Sequence, residues 1–257
     1  MDLEQVLILV SAALAAGWID AVVGGGGLLL LPALMVTAPG LPVATVLGTN
    51  KLAAIMGTSS AAVTYSRHTR PDGRVTLPAA LLAVAGAGAG AACASMISSD
   101  MLRPIVMIGL TAVAVFVAVR PQFGAAAHAD LATRRRMVLA VLLTGGVIGF
   151  YDGILGPGTG TFLIIAFTLV MGLDFVHASA SAKIVNTGTN LGALLVFGLQ
   201  GHVLWQLGLL MGVANIVGAQ IGARMAIRRG SAFVRVVLLV VVVALVLRLG
   251  YDQFMAG

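Results

Sequence analysis

Charge is the scarcest commodity in this sequence. The 257 residues hold 15 Lys and Arg and 9 Asp and Glu, 9% charged in all. Soluble domains run to about a quarter charged residues. With 60% hydrophobic residues and a mean hydropathy of +1.07, the chain has more apolar surface than a water-soluble core can hide. Lysine is rarer still, with Lys51 and Lys183 the only two. The single cysteine, Cys93, excludes an internal disulfide and sits in an Ala/Gly-rich stretch that reads as packing. His68, His128, His177 and His202 share no spacing and lie in or beside loops, so no metal site is expected. There is no HExxH, no phosphate-binding loop and no serine-hydrolase constellation. These absences point away from an enzyme and leave no cofactor to place.

The net charge of +6 does not indicate nucleic acid. The arginines fall in short loops between apolar runs, where the positive-inside rule accounts for them. The chain opens Met1-Asp2-Leu3-Glu4, acidic where a cleavable signal peptide would be basic, so the first apolar stretch is expected to stay in the mature protein.

Apolar runs dominate what is present. Five fill the first half, at about 3–23, 28–37, 43–66, 77–97 and 102–119. Five more follow, at about 137–155, 161–171, 175–198, 203–225 and 233–249. The expected class is an all-α polytopic membrane protein. Its units are a first membrane repeat (1–119), a basic cytoplasmic linker (120–136) and a second membrane repeat (137–257).

The repeat is read from an offset of 132. Gly17, Asp20, Gly24, Gly26 and Lys51 then meet Gly149, Asp152, Gly156, Gly158 and Lys183. Beyond the third stretch, an offset of 128 pairs Leu81-Leu82 with Leu209-Leu210 and Gly90-Ala91 with Gly218-Ala219. Loop charge decides the sense of the repeat. Arg67, Arg70 and Arg74 follow the third stretch, whereas its counterpart near His202 has no Arg or Lys; the next linker reverses the bias, with Arg224, Arg228, Arg229 and Arg235 in the second half against Arg103 and Asp100 in the first. Putting the Arg-rich loops in the cytoplasm gives two inverted repeats with both termini outside. Each would hold a broken or re-entrant helical hairpin plus about three transmembrane helices, because the second stretch of each half is too short to cross alone. A tight turn between ordinary helices is the plainer alternative.

Asp20, Asp152, Lys51 and Lys183 lie inside apolar stretches at equivalent repeat positions. An ionised group there costs about 2.5–3.5 kcal/mol on insertion scales and marks a pathway or a site. Each Lys could neutralise an Asp, holding the repeats together, or the lysines could face a cavity and attract an anion. The glycine runs favour an anion: Gly24, Gly25, Gly26 and Gly27, and Gly156-Pro157-Gly158-Thr159-Gly160-Thr161, each precede an apolar run. A helix starting at membrane depth aims free N–H groups at the break. Thr49 and Asn50 flank Lys51, while Asn186 and Asn190 share a helical face with Lys183, lining a cavity or bonding a neighbouring helix. Asn186 and Asn190 align with Ala54 and Thr58, so such a site would be asymmetric.

At these residues the chain resembles the sulfite exporter TauE/SafE family of membrane permeases. The resemblance rests on Asp20 with Gly24–Gly27, Leu31-Pro32-Ala33-Leu34, Leu47-Gly48-Thr49-Asn50-Lys51-Leu52, Gly149-Phe150-Tyr151-Asp152-Gly153, Gly156–Thr161 and Ala182-Lys183-Ile184-Val185-Asn186. It implies secondary transport, usually export, of sulfur-containing anions such as sulfite, sulfoacetate or organosulfonates. The expectation is therefore an alternating-access carrier in a bacterial plasma membrane. Lys51, Lys183 and the glycine-started helices would bind the small anion, and Asp20 and Asp152 would pair with lysine or carry a coupling proton. An anion channel, or a permease for a non-sulfur anion, is the alternative. The expected partners are substrate and lipid bilayer, with a homo-oligomer left open.

Overall fold

A computed structural model describes residues 2–94 and 133–255. The expected fifth stretch (102–119), with Asp100 and Arg103, and most of the linker 120–136 lie outside them. Every element among the described residues is helical. The first half forms α1 (Leu3–Val23), α2 (Gly27–Thr37), α3 (Val43–Thr69) and α4 (Gly73–Ala94). The second forms α5 (Arg134–Ile154), α6 (Thr159–Met171), α7 (Phe175–Leu199) and α8 (Trp205–Met255). α5 contains a π-helical turn at Leu142–Val147, and α8 bends at Gly230, whose φ of 73° is non-helical.

Among the described residues, four helices are long and apolar enough to cross a membrane: α1, α4, α5 and the Trp205–Val237 part of α8. Leu7 and Ile8 on α1, Leu77 and Leu81 on α4, Val138, Leu142 and Val147 on α5, and Val213, Val217 and Ile221 on α8 stand exposed. Such a belt would drive aggregation in water but matches lipid. α3 and α7 are 27 and 25 residues long, enough to span. They carry the two lysines and pack on one another at the centre, α3 also against α8 and α7 against α4. α1 packs outside α8, and α5 outside α4. Helices from opposite halves therefore alternate across the molecule.

The close approaches fix helix directions. Gly208, Gly212 and Gln220 of α8 meet Leu52, Met56 and Ser60 of α3, and Gly218 and Gly222 meet Leu14 and Trp18 of α1, so α1, α3 and α8 run parallel. Ala79, Ala83 and Ala87 of α4 meet Gly145, Gly149 and Gly153 of α5, and Gly188 and Gly192 of α7 meet Ala80 and Val84, so α4, α5 and α7 form a second parallel set. Gly48 of α3 meets Phe197 and His202 at the end of α7, whereas Thr58 and Lys183 share Asp20, so the two sets run oppositely.

The same contacts correct the register of the last paired helices. α2 and α6, α3 and α7, and α4 and α8 start 132 positions apart in every case. Gly86 meets the α5 backbone as Gly218 meets that of α1, and Gly90 and Gly222 lie against Phe150 and Trp18. The offset thus stays at 132 and never becomes 128. α3 is two residues longer than α7, and the following loop is two residues shorter.

α2 and α6 have 11 and 13 residues, about 16–20 Å at 1.5 Å per residue, short of a ~30 Å hydrocarbon core. Each turns back along the helix before it. α1 ends at Gly24, whose φ of 80° is left-handed and whose N–H bonds the Asp20 carbonyl at 2.8 Å. A Cβ on Gly24 would lie 2.1 Å from the carbonyl carbon of Gly160, so both conformation and space require glycine. Gly24→Ala should cost at least ~1–2 kcal/mol from backbone strain alone. Gly40→Ala, where nothing lies within 4 Å, should be near neutral, and thermal unfolding in detergent checks both.

Asp174 caps α7, the helix that carries Lys183. Its Oδ1 accepts from the N–H groups of Val176 (2.9 Å) and His177 (3.1 Å) and from the Ser231 hydroxyl (3.2 Å), and His177 Nδ1 lies 2.6 Å from Oδ2. Partial burial pushes this carboxyl up, but the His177 N–H, the His177 charge and the Ser231 hydroxyl outweigh it, leaving the pKa below the ordinary 3.8. A depressed carboxylate stabilises the fold above its unfolded pKa and loses that contribution as pH falls through the folded value. Asp174→Ala should therefore cost about 1 kcal/mol at neutral pH, and the gap to wild type should shrink below about pH 4. Parallel unfolding curves across that range test it.

Candidate anion site between the two helix breaks

All four embedded charges pair, and they pair across the halves. Lys51 Nζ donates to Asp152 Oδ2 at 2.5 Å, with side chains 3% and 2% exposed. Lys183 Nζ donates to Asp20 Oδ2 at 2.9 Å and to the Asp20 carbonyl. Lys183 is fully buried, whereas Asp20 is 14% exposed. Each Lys thus meets an Asp drawn from the other half.

These pairs surround the point where the breaks touch. Thr161 donates its hydroxyl to Val23 O (2.7 Å) and its N–H to Gly24 O (3.3 Å), fastening the start of α6 to the end of α1. A Cβ on Gly27, at the start of α2, would lie 3.7 Å from Pro157 and 3.9 Å from Asn50 Nδ2. A Cβ on Gly156 would lie 3.0 Å from Lys51 Nζ. Gly25, Gly26, Gly158, Thr159 and Gly160 are buried at the same junction. Lys51, Asn50 and both glycine breaks are thus brought together.

Asn50 is the unsatisfied member. It is 4% exposed, and its Oδ1 has no hydrogen-bond partner among the described residues. An orphaned buried amide oxygen costs about 1–3 kcal/mol, and the side-chain amide can present either its oxygen or its NH₂ by a flip. Other expected site residues are committed elsewhere. The Thr49 hydroxyl accepts from Leu204 N–H at 3.0 Å, Thr159 donates to Gly156 O at 2.9 Å, and Asn186 Oδ1 accepts from Thr189 at 3.1 Å. Asn190 is buried on the Lys183 face of α7.

Three supporting residues were not expected at the site from the sequence. Thr58 donates to Asp20 Oδ2 at 3.2 Å. Tyr65 donates to Ala21 O at 2.9 Å and Tyr151 to Pro157 O at 2.8 Å, so one phenol holds each break. Tyr151, in an apolar stretch just before Gly156, was a readable signal, whereas Tyr65 lies far from either break in sequence.

Residues 9–249 match the family described as sulfite exporter TauE/SafE. The chain belongs to the TauE/SafE family. Among its curated relatives, a probable membrane transporter protein, ORF9, of Sinorhizobium sp is 39% identical over 241 residues, covering 94% of this chain and 90% of the relative. The probable membrane transporter protein YfcA of Escherichia coli K12 is 34% identical over 249 residues, covering 96% and 90%. A probable membrane transporter protein of Haemophilus influenzae is 31% identical over 253 residues, covering 98% and 97%. No solved structure matches. As a TauE/SafE member the chain is a membrane transporter, and its exposed apolar belt faces lipid.

Removing one partner of a buried ion pair leaves an uncompensated charge and costs about 3–5 kcal/mol, whereas replacing both by apolar residues can be neutral. In this TauE/SafE protein, Lys51→Met or Asp152→Leu alone should lower thermal stability by that order. The double variant should recover most of it. If the double variant is no more stable than either single one, the two groups do not act as a pair.

Proposed function

We propose that this protein is a secondary carrier that exports small sulfur-containing oxyanions, such as sulfite, sulfoacetate or organosulfonates, by alternating access of two inverted halves. The observation that carries the reading is the meeting of two glycine-started half-helices beside two lysines, each held by a carboxylate of the opposite half.

The inverted arrangement draws support from the constant 132-residue offset and from the opposed directions of α3 and α7. α1–α2 begins and ends at one side of the molecule. α5–α6 begins and ends at the other, where Arg136 bonds Val170 O at 3.3 Å. The directions gather Arg67, Arg74, Arg134, Arg135, Arg136, Arg224 and Arg228 toward that second side, which the positive-inside rule assigns to the cytoplasm of a bacterial inner membrane.

An oxyanion suits the junction. Buried N–H groups at helix starts carry partial positive charge, and Asn50 can turn its NH₂ toward a sulfite oxygen while Lys51 supplies the full charge. Asp20 and Asp152 then divide their roles by access. Asp152 is sealed and holds Lys51 in place. Asp20, partly exposed and bonded by Thr58, can take up a proton, which would free Lys183 to hold the anion. Proton and anion would then move in linked steps.

Purified protein in vesicles should show saturable, proton-dependent flux of radiolabelled sulfite, and Lys183→Ala should insert normally but abolish it. Flux that never saturates would replace the carrier with an anion channel. Saturable flux of a non-sulfur oxyanion alone would leave the site standing and overturn the substrate. Wild-type rates in Lys51→Ala and Lys183→Ala together would overturn the site.

A further inference from the structure

We propose that the groove between α3 and α8 at the arginine-rich side is a binding site for the headgroup of an anionic phospholipid. The groove encloses about 450 Å³ and is lined by Ser60, Val63, Thr64, Arg67, His68, Gln220, Arg224, Ile227 and Arg228. Its two walls have the same spacing: positions 60, 64, 67 and 68 on α3 face 220, 224, 227 and 228 on α8. Two parallel helices therefore present matched turns.

The floor is polar and closed. Gln220 Nε2 donates to Ser60 Oγ at 2.5 Å and to Ser60 O at 3.1 Å, and Thr64 donates to Gln220 Oε1 at 3.1 Å. The rim is cationic and open: Arg67, Arg224 and Arg228 are exposed, with His68 between the helices, its Nδ1 2.9 Å from Thr64 O. No carboxylate lines the groove, and none of the three arginines forms an ion pair among the described residues. Three guanidinium groups brought together without a counter-charge repel one another and favour a multivalent oxyanion, which they can bond through two N–H groups each.

The outer face of α8 identifies the anion as part of an amphiphile. Positions 213, 217, 221, 224 and 228 form one stripe along the helix. Val213, Val217 and Ile221 are 58%, 47% and 47% exposed, and the stripe then turns cationic at Arg224. α3 repeats this, with Val63 51% exposed one turn before Arg67. A free oxyanion would use the arginines and leave the valines idle. A phospholipid uses both, with its phosphate among the arginines and its acyl chains along the apolar part of the stripe. Basic pockets between transmembrane helices at the cytoplasmic interface bind anionic headgroups in this manner. The site lies on the lipid-facing perimeter, apart from the paired lysines, and does not depend on the transport reading.

Native mass spectrometry of the full chain in detergent, with phosphatidylglycerol or phosphatidylcholine added, tests it. Phosphatidylglycerol should be retained in preference, and R67Q/R224Q/R228Q should weaken retention by roughly fivefold per arginine. R67K/R224K/R228K keeps the charge and should retain most of the preference. Equal retention of the two lipids, or undiminished retention by the glutamine variant, would overturn the proposal. So would loss of the phosphatidylglycerol preference on adding inorganic phosphate, which would mark a site for a free oxyanion.

Discussion

The structure turns on the cost of keeping four charges away from water. A single ion at membrane depth is unfavourable by several kcal/mol, and mutual attraction offsets this only when partners are in contact and their remaining hydrogen bonds are met. Here the contact exists only when the halves interlock. Lys51 on α3 reaches the last turn of α5, and Lys183 on α7 reaches the last turn of α1. Neither half can neutralise its own charges in this arrangement. That ties the central helices α3 and α7 to the ends of hairpins contributed by the other half, and so places the two breaks against each other.

Interlocking at this distance demands backbone without side chains. Gly24 and Gly160 touch through main-chain atoms, and Gly153 and Gly17 bring α5 and α1 against α4 and α8 in the same way. Close helix packing in lipid cannot draw on the hydrophobic effect, so small residues supply the contact by van der Waals approach. Gly17, Gly24, Gly153 and Gly160 therefore serve the charges: they let the hairpin ends come near enough for lysine and aspartate to meet.

Much of this was legible in the sequence because lipid leaves a strong signal. Long apolar runs gave helix ends such as Leu3–Val23 closely, and the glycine clusters gave the breaks. The partner of each lysine was not legible. Spacing shows that Lys51 and Lys183 are equivalent, but only the packing of α3 against α7 and α8 decides which aspartate each one meets. The 128-residue offset failed for a related reason. Leu81-Leu82 with Leu209-Leu210, and Gly90-Ala91 with Gly218-Ala219, match because leucine, glycine and alanine are common in any membrane helix. Gly86 with Gly218 and Gly90 with Gly222 match because one backbone must pass another at those points. Residue identity alone says little, and glycines that meet equivalent backbone atoms in both halves say much. Thr58 was passed over because a threonine in an apolar helix usually bonds its own backbone.

The two ion pairs stand at equivalent positions of the 132-residue offset but in different environments, and on the proposed carrier reading that difference bears on direction. Asp152 is 2% exposed and has Lys51 as its side-chain partner, whereas Asp20 is 14% exposed and shared between Lys183 and Thr58. Two identical pairs would open with equal ease toward either side of the membrane and give no order to binding and release. On the proposed carrier reading, unequal pairs give an order, because the pair that water can reach would open first. Thr58 adds to that inequality through its bond to Asp20. Its counterpart at the 132 offset is Asn190, which makes no bond to Asp152 among the described residues. On the proposed reading, the departure from symmetry at this one position gives a duplicated fold its direction.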